Sequence, residues 1–266
     1  MNVSDFQEIV WEQGRALYRE MPWRRDTRPY YVLVSEVMLQ QTQVERVIPK
    51  FMAFIAAFPT IQALAAASLA DVLVLWSGLG YNRRAKFLHE AARTIVKDFD
   101  GEFPSTIEAL VKLPGVGINT AGAIMTYSFN QPVVFIETNV RTVYFHHFFE
   151  DSAEVSDAEL RQVVERTIDH EHPREWYWVL MDYGAHLKRQ GVGRINKSTH
   201  YKKQSALKGS VREVRGQIIK ALARTSCTEE SLRSMLGADL RFEPALEGLY
   251  RDGLVGETNG QLHLAR

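Results

Sequence analysis

The sequence has one cysteine, Cys227, among its 266 residues. One thiol cannot form an internal disulfide, a cysteine-based zinc site or an iron–sulfur cluster, and a reducing cytoplasm is the plain interpretation. Long apolar runs are absent as well, since none reaches the ~18 residues that a membrane helix needs. The N-terminus lacks the basic and apolar regions of a signal peptide. We therefore expect a cytoplasmic protein with no membrane partner.

The chain also has no net charge, because 32 basic residues balance 32 acidic ones. The charges are nevertheless segregated. Between Gly184 and Arg224 there are eleven Lys or Arg residues and a single acid, Glu213. A basic stretch beside an acidic remainder is typical of a protein that meets an anionic partner at one face. The same pattern also fits a solvated linker that happens to be basic, and charge alone leaves both interpretations open.

Apolar spacing predicts helices over most of the chain, and alternating strand patterns are scarce before residue 210. The predicted helices cover 4–20, 30–57 with an interruption at Pro49, 68–76, 84–97, 106–113, 120–127, 139–149, 155–167 and 176–187. Residues 188–210 are polar, basic and poor in large apolar side chains, which predicts a linker or an irregular arm. We expect an all-α protein up to this point.

The C-terminal segment is regular again. It predicts helices at 211–223, 231–236 and 242–252, followed by two short apolar strands around Asn259-Gly260, which is a hairpin signal. Three short helices and a hairpin resemble a winged-helix module. In that family the third helix reads a DNA groove, although winged helices also serve to dock proteins.

Two glycines separated by one residue stand between two predicted helices, in Leu113-Pro-Gly-Val-Gly117. Glycine lets such a turn present bare backbone N–H groups at the start of the next helix, where they bind a phosphate. The alternative is a simple tight turn between helices. The longer stretch Lys112–Ala123 resembles the helix-hairpin-helix motif of DNA glycosylases, which grips the DNA backbone without reading its sequence.

Two carboxylates occupy unusual positions. Glu36 lies in the segment Val34–Val44, inside what we expect to be an otherwise apolar helix start, and Glu137 follows an apolar run and precedes a helix. A carboxylate among apolar residues is unfavourable unless it is paired or its raised pKa is used. Taken singly, each also fits a structural role: Glu36 as a helix cap, and Glu137 as an acid favoured by the helix dipole.

Five segments taken together resemble one family in order and spacing. They are Pro22-Trp-Arg24, Val34–Val44, Trp76-Ser-Gly-Leu-Gly-Tyr81, the Gly115/Gly117 hairpin and Met181-Asp-Tyr-Gly-Ala185. The chain resembles the MutY-type adenine DNA glycosylases, within the helix-hairpin-helix glycosylases that include endonuclease III. The resemblance covers roughly residues 5–187. It implies an all-α, two-lobed glycosylase domain at 1–187, followed by the basic linker 188–210 and a winged-helix-like domain at 211–266.

The resemblance also implies roles for individual residues. Glu36 matches a catalytic glutamate that protonates the adenine so that it can leave, with burial raising its pKa. Glu137 stands where the family has an aspartate that stabilises the sugar cation, and Asn139 matches an asparagine close to it. The residues that match DNA-contacting positions are Gln41, Thr42, Leu79, Gly115, Gly117 and the wedge Tyr81. Those that match the pocket for the extruded adenine are Trp23, Arg24 and Asp182.

The sequence departs from the family at four points. Glu137 replaces an aspartate, and its extra methylene moves the carboxylate by about 1.5 Å unless the backbone compensates. Asn119 replaces the catalytic lysine of endonuclease III, so no Schiff base can form there and strand cleavage is not expected. The four cysteines of the family's iron–sulfur cluster are missing. The winged-helix-like segment takes the place of the domain that senses 8-oxoguanine.

We therefore predict a monofunctional glycosylase that removes a mismatched adenine, opposite 8-oxoguanine or guanine, from double-stranded DNA. Glu36, Glu137, Asn139 and Asn119 are its predicted catalytic residues. No metal or organic cofactor is expected, and a monomer associated with the nucleoid suits this activity. Two alternatives stay open: excision of thymine, uracil or another modified base, and a lesion- or mismatch-binding protein that has lost catalysis.

Overall fold

The computed structural model of the protein describes residues 1–150, 152, 154–192, 206–237 and 239–265. These residues form helices almost throughout, with one small sheet, which confirms the all-α class and the C-terminal hairpin. The helices are α1 (Val3–Leu17), α2 (Pro22–Arg25), α3 (Pro29–Leu39), α4 (Val44–Ala57), α5 (Ile61–Ala66), α6 (Leu69–Trp76), α7 (Arg83–Asp98), α8 (Ile107–Leu110), α9 (Ile118–Phe129), α10 (Thr138–Phe148), α11 (Asp157–Thr167), α12 (Pro173–Arg189), α13 (Val211–Leu222), α14 (Glu229–Leu236) and α15 (Phe242–Arg251). The strands are β1 (Val255–Thr258) and β2 (Gln261–Leu264). Most of the basic linker, residues 193–205, lies outside the described part of the chain.

Helix starts follow from local side chains. A side-chain oxygen at the N-cap accepts a hydrogen bond from a backbone N–H of the first turn, which satisfies a donor that the helix leaves without a partner. Ser156 and Glu159 form a reciprocal capping box at α11. The other residues that cap in this way are Asn2, Thr60, Ser68, Thr106 and Thr228.

The predicted helix over 30–57 is wrong in one respect, because the break lies at 40–43 and not at Pro49. Pro49 lies inside α4, whereas α3 ends at Leu39 and Gln41 adopts a left-handed φ of 56°. Glu36 consequently lies in the last turn of α3 and not at a helix start. The buried guanidinium of Arg84 donates hydrogen bonds to the final carbonyl oxygens of α3 and so allows the helix to end there.

The described chain divides into two compact units. Unit 1 comprises Met1–Val32, Ser105–Val111 and Val116–Lys203, as far as its residues are described. Its core is rich in aromatic rings. Phe6 of α1 lies 5.0 Å from the ring of Tyr144 and 4.8 Å from that of Phe148, and Phe135 stacks on Tyr177 at 4.0 Å. These rings join α1 to α10, which carries Asn139, and pack the chain before α10 on α12, which carries Asp182.

Unit 2 comprises Leu33–Pro104, Lys112–Gly115 and Gln204–Arg266, again as far as described. Phe54 and Trp76 pack edge to face in its core, and α5 and α6 pack against α7. The segment α13–α15 forms its own small core with the hairpin, in which Val255 pairs with Leu264 and Thr258 with Gln261. Strand β2 also contacts α6, so the C-terminal segment packs on the helices of this unit. None of the helices in the described residues is long and apolar enough to cross a membrane.

Candidate functional site

The end of helix α3 carries Glu36 and is held by Arg84. The Arg84 side chain donates hydrogen bonds from Nη1 to the carbonyl oxygens of Val37 (2.7 Å) and Met38 (2.9 Å). These carbonyls belong to the last turn, where a helix lacks internal donors. Glu36 is half-buried and lies directly before them in the chain. Arg84 therefore fixes the turn of α3 that presents Glu36.

The same guanidinium binds two loops that carry predicted DNA contacts. Its Nη2 donates to Thr42 Oγ1 (3.2 Å) and to the Gly80 carbonyl oxygen (3.1 Å). Thr42 follows Gln41 in the loop after α3, and Gly80 precedes Tyr81 in the loop before α7. Burial lowers the pKa of Arg84 to about 10, so the side chain is a cation at neutral pH. One charged group thus joins the stretch Val37–Thr42 to the loop that contains Gly80.

The loop from Ser77 to Asn82 needs glycine at two positions. Gly78 and Gly80 have φ values of 96° and 76°, which side chains with a Cβ atom rarely adopt. Tyr81 also has a left-handed φ, 47°, a conformation that is unfavourable for a bulky residue and is concentrated at functional sites. Trp76 Nε1 donates to the Gly80 carbonyl oxygen (3.1 Å), and Leu79 is 4% exposed. The loop therefore buries Leu79 while its strained backbone holds Tyr81.

The predicted hairpin between α8 and α9 has the geometry that its glycines indicate. Gly115 has a φ of 75°, and a Cβ atom there would lie 2.7 Å from Phe87 Cβ. Gly117 is the N-cap residue of α9, and a Cβ atom added to it would meet nothing within 4 Å. The first turn of a twelve-residue helix therefore begins at an open position, with N–H groups suited to an anion.

Asn119 supports the segment that precedes Glu137. Its Nδ2 donates to the Ile136 carbonyl oxygen (3.2 Å), and its Oδ1 accepts from the Ile136 N–H (3.3 Å). Both polar ends of the Asn119 side chain are therefore engaged with the backbone of one residue, Ile136. Asn119 thus supports the chain next to Glu137, a role that the sequence did not indicate.

Glu137 occupies the N-cap position of α10 but its carboxylate makes no capping hydrogen bond with the described residues. The side chain is half-buried, and burial raises the pKa of its carboxyl group. A carboxyl group that lies at a helix N-terminus, makes no capping hydrogen bond and has a raised pKa is a candidate catalytic group.

The first turn of α10 lies against α12. A Cβ atom at Gly184 would come within 2.2 Å of the Asn139 carbonyl oxygen, so only glycine allows the two helices to approach this closely. The Asn139 side chain accepts a long hydrogen bond from Lys188 Nζ (3.5 Å), and burial lowers the pKa of Lys188. The first turn of α10, at Asn139, is thereby held by α12 within unit 1.

The three predicted pocket residues lie in unit 1, and two of them form an ion pair. Asp182, 1% exposed, accepts from both Nη atoms of Arg24 (2.7 and 3.1 Å) and from Arg19 Nε (2.7 Å). Arg24 lies 5.5 Å from the ring centre of Trp178. Trp23 is 7% exposed. The structure brings Arg24 and Asp182 together. It also shows Arg19 bound to Asp182, a contact that none of the sequence motifs indicated.

Among the described residues, no group of three or more His, Cys, Asp or Glu side chains is arranged to hold a metal ion. His147 of α10 is engaged elsewhere, because its Nε2 lies 3.0 Å from the Tyr183 hydroxyl and its ring packs at 5.5 Å from Phe6.

Comparison with solved structures shows the fold. The chain is similar to the structure of a thermostable thymine-DNA glycosylase, with a TM-score of 0.64 and 24% identity over 68% of this chain and 85% of that one. It is also similar to a trapped endonuclease III–DNA covalent intermediate, with a TM-score of 0.56 and 19% identity over 77% and 90%. At these identities the likeness supports the predicted helix-hairpin-helix glycosylase fold and carries no conclusion about the substrate.

Comparison with protein sequences shows the family. Residues 34–167 match the HhH-GPD superfamily of base excision DNA repair proteins. The adenine DNA glycosylase of Mycolicibacterium smegmatis is 33% identical over all of this chain and 97% of its own length. That of Mycobacterium tuberculosis is 45% identical over 53% of this chain and 46% of its own length, and the human one 39% over 63% and 33%. The chain spans less than half the length of several curated relatives. It belongs to the HhH-GPD superfamily of base excision DNA repair proteins, and within it to the family of the adenine DNA glycosylases.

Proposed function

We propose that this chain is a monofunctional DNA glycosylase that hydrolyses the N-glycosidic bond of adenine mispaired with 8-oxoguanine or guanine. The observation that carries the proposal is the half-buried side chain of Glu137, which lies at the N-terminus of α10 and makes no capping hydrogen bond with the described residues. The curated relative that spans nearly the whole chain is named an adenine DNA glycosylase, which supports the choice of base. Asn119 has no amine, which supports base removal without strand cleavage.

Two carboxyl groups divide the chemistry in this proposal. Glu36, in its protonated form, gives a proton to the adenine, and the bond between the sugar C1′ and the base breaks with its electrons leaving on the base. Glu137, in its ionised form, stabilises the positive charge left on the sugar. Water then adds to C1′ and releases a proton, which leaves an abasic site and free adenine. Asn139 and Asn119 hold the backbone around Glu137.

DNA contacts follow from the two glycine-rich loops. The open N-terminus of α9, with Gly115 and Gly117, binds a phosphate through backbone N–H groups. Tyr81 enters the base stack, with Gln41, Thr42 and Leu79 near the base that remains. Extrusion of the adenine is required because its glycosidic bond is unreachable inside the duplex. Trp23, Arg24 and Asp182 line its pocket, and the ion pair in that group fixes the shape of the wall.

The organisation of the chain is part of the same proposal. We assign 1–187 to the glycosylase domain, 188–210 to a basic linker and 211–266 to a winged-helix-like domain. The protein acts as a monomer on nucleoid DNA in the cytoplasm. No metal or organic cofactor takes part in the steps above.

The proposal is tested by single-turnover cleavage of labelled duplexes that carry A opposite 8-oxoguanine, A:G, T:G, U:G or hypoxanthine:T. Each reaction is run with and without hot alkali, for the wild type, Glu36→Gln and the control Glu45→Gln, which changes an exposed acid of α4. We expect alkali-dependent nicking of the adenine strand only. Glu36→Gln should lose at least ~100-fold in rate, as expected for a general acid, and Glu45→Gln should retain the wild-type rate.

The other outcomes select the remaining functions. Nicking of a T, U or hypoxanthine strand keeps the mechanism and replaces the substrate. Selective binding of a mismatch without nicking of any duplex indicates a binding protein that has lost catalysis. Glu137→Asp restores the family's residue at this position, and a gain of activity in that variant would show that the longer side chain limits the wild type.

A further inference from the structure

The C-terminal segment touches the Tyr81 loop directly. Within unit 2, Arg212 of α13 donates a hydrogen bond to the Tyr81 hydroxyl. Its guanidinium carbon also lies 5.1 Å from the centre of the Tyr81 ring, a distance typical of a cation–π contact. The contact joins the first turn of α13 to the loop that holds the proposed wedge. It brings together residues 131 positions apart in the chain.

Tyr81 is thereby in contact with two cations. The guanidinium carbon of Arg84 lies 5.6 Å from the ring centre, and Arg212 makes the second contact. Arg84 is anchored by the carbonyls at the end of α3, so its position is set by the helix that carries Glu36. Arg212 is set by the C-terminal segment. With a guanidinium on the ring from each of two elements, we expect these contacts to restrict where the Tyr81 ring points.

The C-terminal segment is itself fixed to α7, the helix that follows the Tyr81 loop. Lys86 Nζ donates to the Asp252 carbonyl oxygen (2.8 Å), and the Asp252 carboxylate accepts from Arg215 and pairs with Arg83 at 3.5 Å. Asp252 ends α15 and is 14% exposed in its side chain. A network with a part-buried carboxylate at its centre holds α13 and α15 against α7. The helix that carries Arg212 is therefore held in place where Arg212 contacts Tyr81.

We propose that the described C-terminal segment, residues 206–237 and 239–265, takes part in base extrusion through Arg212, which is a positioning residue for Tyr81. The inference rests on the proposed function, because it takes Tyr81 as the wedge. Arg212 orders the tyrosine ring before DNA arrives, so that the ring need not be immobilised during insertion. The segment then positions the Tyr81 wedge, in addition to any contact that it makes with DNA itself.

The test compares Arg212→Ala, Arg212→Lys and the control Lys220→Ala. Lys220 is exposed on the same helix, so the control removes an equal charge without touching the loop. Base extrusion is followed by the fluorescence of 2-aminopurine placed next to the target adenine, and single-turnover excision is measured in parallel. We expect extrusion and excision to fall about tenfold in Arg212→Ala, because a charged hydrogen bond and a cation–π contact are lost together. Arg212→Lys should recover part of the loss, since lysine keeps the charge but not the planar guanidinium.

A Tyr81→Leu background separates positioning from a general effect. There the loss caused by Arg212→Ala should shrink to less than about twofold, because the partner of Arg212 is gone. Equal losses in Arg212→Ala and Lys220→Ala, or an undiminished loss in the Tyr81→Leu background, would overturn the inference.

Melting temperatures of all variants, and duplex binding, distinguish the remaining outcomes. If the wild type extrudes a base but cleaves no duplex, the proposed activity fails while the fluorescence comparison still decides the role of Arg212. If the wild type neither binds nor extrudes in any duplex, both proposals are wrong. A melting temperature that falls only in Arg212→Ala would assign Arg212 a structural role and refute positioning.

Discussion

Replacing Asp182 by asparagine tests whether the Arg24–Asp182 pair serves the fold. The carboxylate accepts four hydrogen bonds: two from Arg24, one from Arg19 Nε and one from the Arg19 N–H at 3.0 Å. The Arg24 side chain is 3% exposed and that of Asp182 1%. Asparagine would leave the Arg24 cation buried without a counter-charge and would direct an amide NH2 at a donor. All four contacts are therefore weakened or lost.

Removing one partner of a buried pair costs about 3–5 kcal/mol. In a chain of this size each kcal/mol lowers the melting temperature by roughly 2–4 °C, so we expect Asp182→Asn to melt at least ~6 °C below the wild type. The protein should still fold at 25 °C, because native stabilities are about 5–15 kcal/mol. Thermal denaturation followed by circular dichroism measures the change.

The matched control is Asp26→Asn, which removes an aspartate paired with Arg28 at 2.7 Å, with side-chain exposures of 57% for Arg28 and 36% for Asp26. An exposed pair contributes about 1 kcal/mol or less. Equal melting temperatures for the two variants would refute the reasoning. If Asp182→Asn then lost excision without losing stability, Asp182 would act on the substrate. Its role in the proposed pocket would then be chemical and not structural.

Two further predictions concern packing and pH. Gly184→Ala should lower the free energy of unfolding by about 1–3 kcal/mol or more, because its Cβ atom would meet the Asn139 carbonyl oxygen at 2.2 Å. The control Gly216→Ala, with open space around it, should raise the free energy of unfolding by up to ~1 kcal/mol. Urea denaturation measures both, and equal effects would contradict the close approach. Burial, with the neighbouring His146, lowers the pKa of His147 to about 4, so the unfolded chain binds more protons between about pH 6.5 and 4, and stability falls as the pH falls through that range. His147→Phe should flatten part of this fall in urea denaturation at pH 7.5 and 5, and an unchanged slope would show that other groups cause it.

Local signals account for what the sequence predicted well. Gly78, Gly80 and Gly115 adopt the left-handed φ values that their motifs require, and polar side chains cap α1, α6, α8, α11 and α14 near the expected starts. Such features depend on a few neighbouring residues, so a short pattern is sufficient to identify them. The glycine at position 184 was similarly visible within a motif, although the sequence did not show which backbone atom it approaches.

Contacts between distant segments account for what the sequence did not show. Pro49 was expected to break a helix, yet the break lies at 40–43 because Arg84, more than forty residues away, provides the hydrogen bonds that end α3. At position 119 the sequence showed asparagine in place of a lysine. The contact of Asn119 with Ile136 becomes visible only in the structure, where α9 and the chain before Glu137 lie side by side. The short helices α2 and α5 were missed because four to six residues carry too little periodicity.

Arg84 links the two proposed tasks of unit 2, since one guanidinium holds both the end of α3 and the loop of Tyr81. Burial removes most of its hydration, so its hydrogen bonds to carbonyl oxygens replace water and are costly to break. The last turn of α3, which presents Glu36, and the loop that holds Tyr81 are therefore bound by opposite nitrogens of one rigid, planar guanidinium. Replacing Arg84 would leave the buried carbonyl oxygens of both segments without a donor, so both should be disturbed together.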